Sequence, residues 1–191
     1  MKHLNTYITE YIVKKKLDKP IDSEDHYKYT PKTKEELIEN IKELLDKGET
    51  NLNCIDTSAI TDMSHLFDMS LKKIINYNLT NVYFDVSKWN VSNVKDMQFI
   101  FYDCIKFDCD LSKWNISNVE NIAAMFYNCK NFDCDLSNWV VGKVKDMSSM
   151  FYNCTNFNCD LSNWDISNVK NMSFAFYNCK SLKNTPSWYK E

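Results

Sequence analysis

At 191 residues the chain is long enough for one domain with its own hydrophobic core, and 44% hydrophobic against 26% charged residues is ordinary for a globular protein. The formal charge is −3, and all 23 basic residues are lysine. Nucleic acid is therefore not an expected partner, because the chain has neither a basic field nor the guanidinium fork that binds phosphate. No apolar run approaches the roughly 20 residues of a membrane-spanning helix, so membrane insertion is not expected.

Residues 1–32 are predicted to form an amphipathic helix followed by a polar linker. The apolar residues of the helix, all on one side, are Leu4, Tyr7, Ile8, Tyr11 and Ile12. Acids and lysines interrupt this segment, which is not the pattern of a secretory signal. We therefore expect a cytoplasmic protein with reduced cysteines, in which this helix either packs on the repeats or serves as a detachable tag.

Residues 33–50 are predicted to form a helix that caps the repeats following it. Thr33 and Glu36 have the spacing of a capping box, and Gly48 fits the position just after a helix end. The apolar face consists of Leu37, Ile41, Leu44 and Leu45.

Residues 51–185 repeat with a period of 25, most clearly after residue 85. The residues that recur at this interval are Trp89, Trp114, Trp139 and Trp164; Phe101, Phe126, Phe151 and Phe176; and Cys104, Cys129, Cys154 and Cys179. A fixed period of this size predicts about five coils stacked in register, with identical side chains over one another in the core. A degenerate first copy precedes them, and nine surplus residues between Phe67 and Asp85 are expected to form a loop or cap.

Each coil is predicted to contain a short strand and a helix. Trp114 and Ile116 alternate with polar residues, and Leu-x-x-Trp-x-Ile has the spacing of a leucine-rich-repeat strand. Val94, Met97, Phe101 and Cys104 form one stripe of a three-turn helix. The predicted fold is therefore an α/β solenoid of short parallel strands and helices, similar to a leucine-rich repeat. Residues 186–191 are its tail, with Pro186 and Trp188 closing the last coil.

The stretches MFYNCKNFDCDLSNW, WDISNVKNMSFAF and TKEELIENIKELL resemble the BspA-like, Mycoplasma-type leucine-rich surface-protein repeat over residues 33–185. The resemblance implies a right-handed solenoid, no catalytic residues, and a surface or interaction role. The chain lacks the signal peptide and lipobox cysteine of the surface lipoproteins, so cell-surface display is the less expected location. Its short leader, low arginine content and compact array are more similar to copies carried by phages of gut bacteria. That resemblance implies a virion-associated or cytoplasmic protein in which residues 1–16 dock a partner.

Two recurring sets suggest chemistry but have plainer explanations. The eight cysteines are expected to be buried thiols, with disulfides or a metal site as alternatives, since no Cys-x-x-Cys motif occurs. The aspartates Asp85, Asp110, Asp135 and Asp160 could bind calcium or act in acid–base chemistry, although aspartate in a turn usually accepts a local backbone hydrogen bond.

Two further sets are candidate partner-binding residues. Tyr102, Tyr127, Tyr152 and Tyr177 each follow an inward phenylalanine, and they form either a half-buried ladder or an interface stripe. Asn115, Val140 and Asp165 lie at outward positions of the predicted strand, on a face that is either a binding surface or simply solvated.

The sequence contains no nucleophile–base pair, phosphate-binding glycine loop or metal motif, and it implies no cofactor. We therefore expect a non-enzymatic module for protein interaction or scaffolding, such as a phage virion or host-interaction component. A surface adhesin that binds glycans is the alternative, and an enzyme using the aspartate column is a third hypothesis.

Overall fold

The computed structural model describes residues 27–68 and 82–190, and within these ranges it contains a single helix, α1, Lys34–Asp46. The helix predicted within residues 33–50 is thus present. Its four apolar residues are buried, and the Thr33 hydroxyl accepts the Glu36 N–H at 3.2 Å. In return, the Glu36 carboxylate accepts a hydrogen bond from the Lys32 N–H at 2.6 Å. Gly48 ends the helix with a φ of 72°, a conformation that glycine adopts without strain.

The predicted α/β solenoid of leucine-rich-repeat type is wrong. Residues 94–104, expected to be helical, are a series of turns, with hydrogen bonds from Ile100 N–H to the Met97 carbonyl and from Tyr102 N–H to the Phe99 carbonyl. Phe99 and Asp103 have φ values of 57° and 61°. Two left-handed residues this close together cannot belong to a right-handed helix.

The amides of this segment bond between repeats, which is why it is not a helix. The N–H groups of Met97, Phe99, Phe101 and Asp103 donate to carbonyls of the next repeat at 2.9–3.0 Å. We call residues 97–104 and their equivalents 122–129, 147–154 and 172–179 the turn segments. Their buried stripe has helical spacing, but a helix would have used the same amides for bonds within itself.

The predicted strand is also wrong, since the described residues contain only isolated parallel bridges and no sheet. At Leu111–Trp114 and Ile116–Val119 the chain instead makes turns closed by bonds of 3.0 and 2.9 Å. An aspartate or asparagine side chain opens each turn by accepting the N–H two residues later. The buried residues Leu111, Trp114, Ile116 and Val119 are therefore spaced three, two and three positions apart. The two-residue step from Trp114 to Ile116 resembles the alternation of a strand when only a short window is read.

The 25-residue register is nevertheless present. We define repeat 1 as residues 51–68, and repeats 2 to 5 as 85–109, 110–134, 135–159 and 160–184. Parallel bridges join Asp62, Asp96, Asn121, Asp146 and Asn171 in succession. Consecutive rings of Phe101, Phe126, Phe151 and Phe176 stack at 5.6 Å, as identical side chains in stacked repeats should. Trp139 and Trp164 stack at 6.4 Å.

The two ends of the described stack differ. At the first repeat, Tyr29 bridges to Ile55, and the buried face of α1 joins the core. At the last repeat, the predicted closure by Trp188 is confirmed. Its ring stacks on Trp164 at 6.5 Å, and its indole N–H donates to the Leu161 carbonyl at 3.0 Å. The predicted helix around Leu4–Ile12 and the surplus loop at 69–81 lie outside the described residues.

Candidate functional site: the tyrosine ladder

The structure brings the four candidate tyrosines together in one continuous stack. Ring centroids are 4.5 Å apart between Tyr102 and Tyr127, 4.6 Å between Tyr127 and Tyr152, and 4.7 Å between Tyr152 and Tyr177. The rings are within 18° of parallel. The first three are half-buried and Tyr177 is exposed. We call this set the tyrosine ladder.

The turn segments hold the ladder in place. Each tyrosine lies between two left-handed positions, one at Phe99, Ala124, Ser149 and Phe174, the other at Asp103, Asn128, Asn153 and Asn178. Asparagine and aspartate tolerate this conformation better than most residues, which fits their use in the second position. The bonds from each turn segment to the next repeat then set the spacing of the rings.

The ladder presents ring edges, because each ring covers the face of its neighbour. Burial, followed by the charge of Asp103, raises the pKa of Tyr102 to about 12. Burial also raises the pKa of Tyr152. These phenols therefore stay protonated near neutral pH, and each can both donate and accept a hydrogen bond.

Further aromatic rings lie at both ends of the ladder. Phe99 is 5.5 Å from Tyr102, and His65 stacks on Phe99 at 4.6 Å. Phe174 meets Tyr177 edge to face at 6.3 Å and is 61% exposed. Phe174 and Tyr177 both line a cavity of about 560 Å³ beside the last repeat.

The second candidate set lies at exposed corners between turns, not along a sheet. The Asn115 and Asp165 side chains accept the N–H groups of Ser117 and Ser167 at 3.2 and 3.1 Å. Val140 has no such oxygen and is 63% exposed. Two of the three residues thus shape the backbone, and Val140 replaces the turn-forming residue of its repeat.

The cysteines are free thiols, and those of repeats 2 to 4 are buried, as the sequence predicted, whereas Cys54 and Cys179 are half-buried. The cysteine at the end of each turn segment also donates a hydrogen bond to a carbonyl of the preceding repeat. The Cys129, Cys154 and Cys179 thiols lie 2.9–3.0 Å from the carbonyls of Phe101, Phe126 and Phe151. Burial raises the pKa of all three, which keeps them protonated as donors.

The aspartate column serves the backbone. Asp85, Asp110, Asp135 and Asp160 each accept the N–H of a serine two residues on, at 2.9 Å. Hydrogen bonds from the side chain and the backbone N–H of the same serine lower the pKa of Asp110, Asp135 and Asp160, so the carboxylates remain ionised acceptors. Across residues 27–68 and 82–190, no cluster of three or more His, Cys, Asp or Glu residues has an arrangement that could hold a metal ion.

Sequence reasoning missed the exposed Phe174 and the lysines beside it. The positions equivalent to Phe174 in repeats 2 to 4 hold Phe99, Ala124 and Ser149. Phe99 is covered by the His65 ring. The sequence did offer a signal for an exposed Phe174, because alanine and serine occupy the equivalent positions of the two preceding repeats.

Fold and site together define a repeat protein built from stacked 25-residue coils of turns, with an aromatic ladder along one side. A family model described as "Mycoplasma protein of unknown function, DUF285" matches residues 69–189, and the chain belongs to that family. Neither a curated protein nor a solved structure matches the chain. In the described part of the chain no helix has the length and apolar character needed to span a membrane.

Proposed function

We propose that the protein is a non-enzymatic module for protein–protein interaction, and that the tyrosine ladder is its contact surface. The observation that carries the proposal is the alignment of four half-buried or exposed phenol rings, one in each of repeats 2 to 5. Tyrosine is enriched in protein interfaces because one side chain offers apolar area and a hydrogen-bonding group at low entropic cost.

The state of the aspartates supports a non-enzymatic role. A general acid needs a raised pKa, whereas the pKa of Asp110, Asp135 and Asp160 is lowered by hydrogen bonds from the side chain and the backbone N–H of a nearby serine. Their column builds turns, and substituting it would damage folding before it revealed any chemistry.

The ring stacking favours a protein partner over the glycan alternative. Sugars bind aromatic residues across an open ring face, but Tyr127 and Tyr152 are covered on both faces by neighbouring rings. The exposed edges suit hydrogen bonds and side-chain packing from a polypeptide instead.

Affinity capture from cells or virions of the natural source tests this proposal. We expect the Tyr127→Ser/Tyr152→Ser double variant to lose the proteins that the unaltered chain captures. The Tyr127→Phe/Tyr152→Phe variant keeps the stack and separates the role of the hydroxyls. Tyr27→Ser is a matched control, since Tyr27 is 48% exposed and lies outside the ladder. Retention of the same proteins by a folded serine variant would refute the ladder as the contact surface.

A role as a phage virion or host-interaction component is a finer proposal, supported by the low arginine content and the compact repeat array. Mass spectrometry of purified virions tests it. Detection in stoichiometric amounts would support a virion role, and detection only in infected-cell extract would assign the protein to the host interior.

A further inference from the structure

The edge of repeat 5 has four backbone donors without a partner in the described residues. In repeats 2 to 4, four N–H groups of each turn segment donate to the next repeat at 2.7–3.0 Å. The equivalent groups of repeat 5 belong to Met172, Phe174, Phe176 and Asn178. Within residues 27–68 and 82–190, nothing accepts a hydrogen bond from them.

This edge of the turn segment offers donors only. Its alternate carbonyls, those of Asn171, Ser173, Ala175 and Tyr177, already accept N–H groups from repeat 4. A row of backbone N–H groups in which left-handed residues recur attracts oxygen acceptors and negative charge. An exposed edge of this kind is also a template for adding another chain.

The C-terminal tail leaves this edge open. Trp188 stacks on Trp164, and Tyr189 meets Phe176 edge to face at 5.1 Å. The cavity of about 560 Å³ lies between the tail and the turn segment, lined by Phe174, Tyr177, Lys170 and Lys190 among others. The exposed Phe174 therefore offers an apolar contact beside the donors.

The charge of this end is opposite to that of the whole chain. Residues 166–190 contain four lysines and no aspartate or glutamate, whereas the complete chain has a net charge of −3. The four are Lys170, Lys180, Lys183 and Lys190, and all are exposed. An acidic ligand is thus complementary both to the lysines and to the N–H row.

A second copy of the chain does not fit this edge. Two such edges placed together would oppose donors to donors. At the equivalent edge of repeat 1, Lys34 of α1 occupies the approach, since its ammonium lies 3.2 Å from the Asp62 carboxylate and 2.7 Å from the Ser64 hydroxyl. The occupant must be a different chain that supplies carbonyl oxygens.

We propose that the edge at residues 172–178 binds an acidic polypeptide segment of another protein, whose main-chain carbonyls accept the four N–H groups. The segment takes the place that the next repeat occupies in the interior of the stack, in the manner of strand addition to a sheet edge. Phe174 covers its apolar side chains, and Lys170 and Lys190 pair with its carboxylates. The inference rests on the proposed interaction function and adds a partner chemistry to it.

Amide hydrogen exchange of the full chain, followed by NMR, tests the proposal directly. The probe is a synthetic peptide with the sequence of residues 121–128, which supplies acceptor carbonyls inside the stack, extended by two glutamates. In the free protein the amides of Met172, Phe174 and Asn178 should exchange faster than those of Met147, Ser149 and Asn153. Peptide at millimolar concentration should slow the exchange of the first group at least about tenfold, as formation of the bonds requires.

Three comparisons make the test decisive. The Lys170→Glu/Lys190→Glu variant should weaken peptide affinity about tenfold or more, whereas Lys113→Glu, at an exposed position of repeat 3, should not. A peptide that ends in two lysines should bind the unaltered protein as weakly as the glutamate peptide binds the Lys170→Glu/Lys190→Glu variant. Unchanged exchange with the glutamate peptide would overturn the proposal. Equal protection by inorganic phosphate would reassign the edge to a simple anion, and protection arising from self-association would reassign it to a second copy.

Failure of peptide binding at the edge of repeat 5 can be distinguished from failure of partner binding at the tyrosine ladder. The Tyr127→Ser/Tyr152→Ser variant leaves the edge of repeat 5 unaltered, so it should still show peptide-induced protection. Loss of cellular partners with that variant, alongside normal peptide binding, would support both surfaces independently.

Discussion

At the scale of single residues, the most repeated side chains are also hydrogen-bond donors to the neighbouring repeat. The indole N–H groups of Trp114, Trp139 and Trp164 donate to the carbonyls of Val86, Leu111 and Leu136 at 3.0–3.1 Å. Leu111 also accepts the Trp114 backbone N–H, so one carbonyl serves both its own turn and the next repeat. Apolar side chains of similar size would pack but would leave this second bond unmade.

Substitutions at Trp139 separate its packing from its hydrogen bond. Trp139→Phe keeps an aromatic ring and loses the donor, and we expect a loss of about 1–2 kcal/mol in the free energy of unfolding. Trp139→Ala removes the stack on Trp164 as well and should cost about 3–5 kcal/mol. Urea unfolding measures both, with Tyr27→Ala as an exposed control expected to stay within about 0.5 kcal/mol. Equal losses for the two variants at Trp139 would mean that the indole N–H matters more than the ring.

The thiols make stability sensitive to alkaline pH. Burial raises the pKa of Cys134 to about 12 and of Cys159 to about 11, from an ordinary value of 9.0. Below pH 9 both are neutral in the folded and unfolded chain, so they add no pH dependence. As pH rises above 9, thiols of the unfolded chain ionise while the folded ones do not, and the free energy of unfolding must fall.

Thermal unfolding between pH 7 and about pH 10.5 checks this expectation. The melting temperature should decline above pH 9, and Cys159→Ala should reduce the slope of the decline even though it lowers stability at pH 7. A melting temperature that is flat to pH 10.5 would contradict burial of the thiols. Native protein should also react with a thiol reagent much more slowly than denatured protein.

At the scale of elements, the turn segment explains why a helical pattern does not give a helix. Its left-handed positions allow alternate amides to point toward the next repeat, where each finds a carbonyl. Left-handed conformation costs an ordinary L-residue about 1–2 kcal/mol, and the inter-repeat bonds and ring stacks offset that cost.

Substitutions at Ser149, with a φ of 54°, distinguish this conformation from a helix. Ser149→Gly relieves left-handed strain, and we expect a change between zero and about 1 kcal/mol in favour of folding. Ser149→Val should destabilise by about 1–2 kcal/mol, because a β-branched residue disfavours positive φ. Ser137→Gly is the control, since Ser137 has no positive φ and should lose about 0.5–1 kcal/mol. In a helix the glycine variant at 149 would instead be destabilised by about 1 kcal/mol.

At the scale of the whole molecule, interior repeats bond mainly to the repeats on either side. Within repeats 2 to 5, the bridges and the stacks of identical rings join residues 25 positions apart, and the indole bonds join residues 28 positions apart. Stability is therefore expected to be close to a sum over repeats and their interfaces.

Removing one whole repeat tests this modularity. Deletion of residues 110–134 joins Cys109 to Asp135 and keeps every column in register, so the shorter chain should fold cooperatively with a smaller dependence of its unfolding free energy on urea. Deletion of residues 110–133 removes 24 residues and should not give a stable fold, because columns on either side of the junction shift by one position. Similar stability of the two deletions would contradict an in-register stack.

The sequence by itself determined the period, the residues of the core columns, helix α1 and the closing Trp188, because each depends on burial or on a local cap that residue types encode. It also placed the tyrosines in one column. Only the tertiary structure decided the backbone between those residues. Leu111, Trp114, Ile116 and Val119 satisfy a strand pattern over one short window, but the Trp114 and Val119 N–H groups bond within their own turns. Val94, Met97 and Phe101 satisfy a helix pattern, but the acceptors of the Met97 and Phe101 N–H groups lie 24 residues away in the next repeat. Side-chain periodicity reports which residues are buried, whereas the choice between helix, strand and turn follows from where the backbone N–H groups find their acceptors.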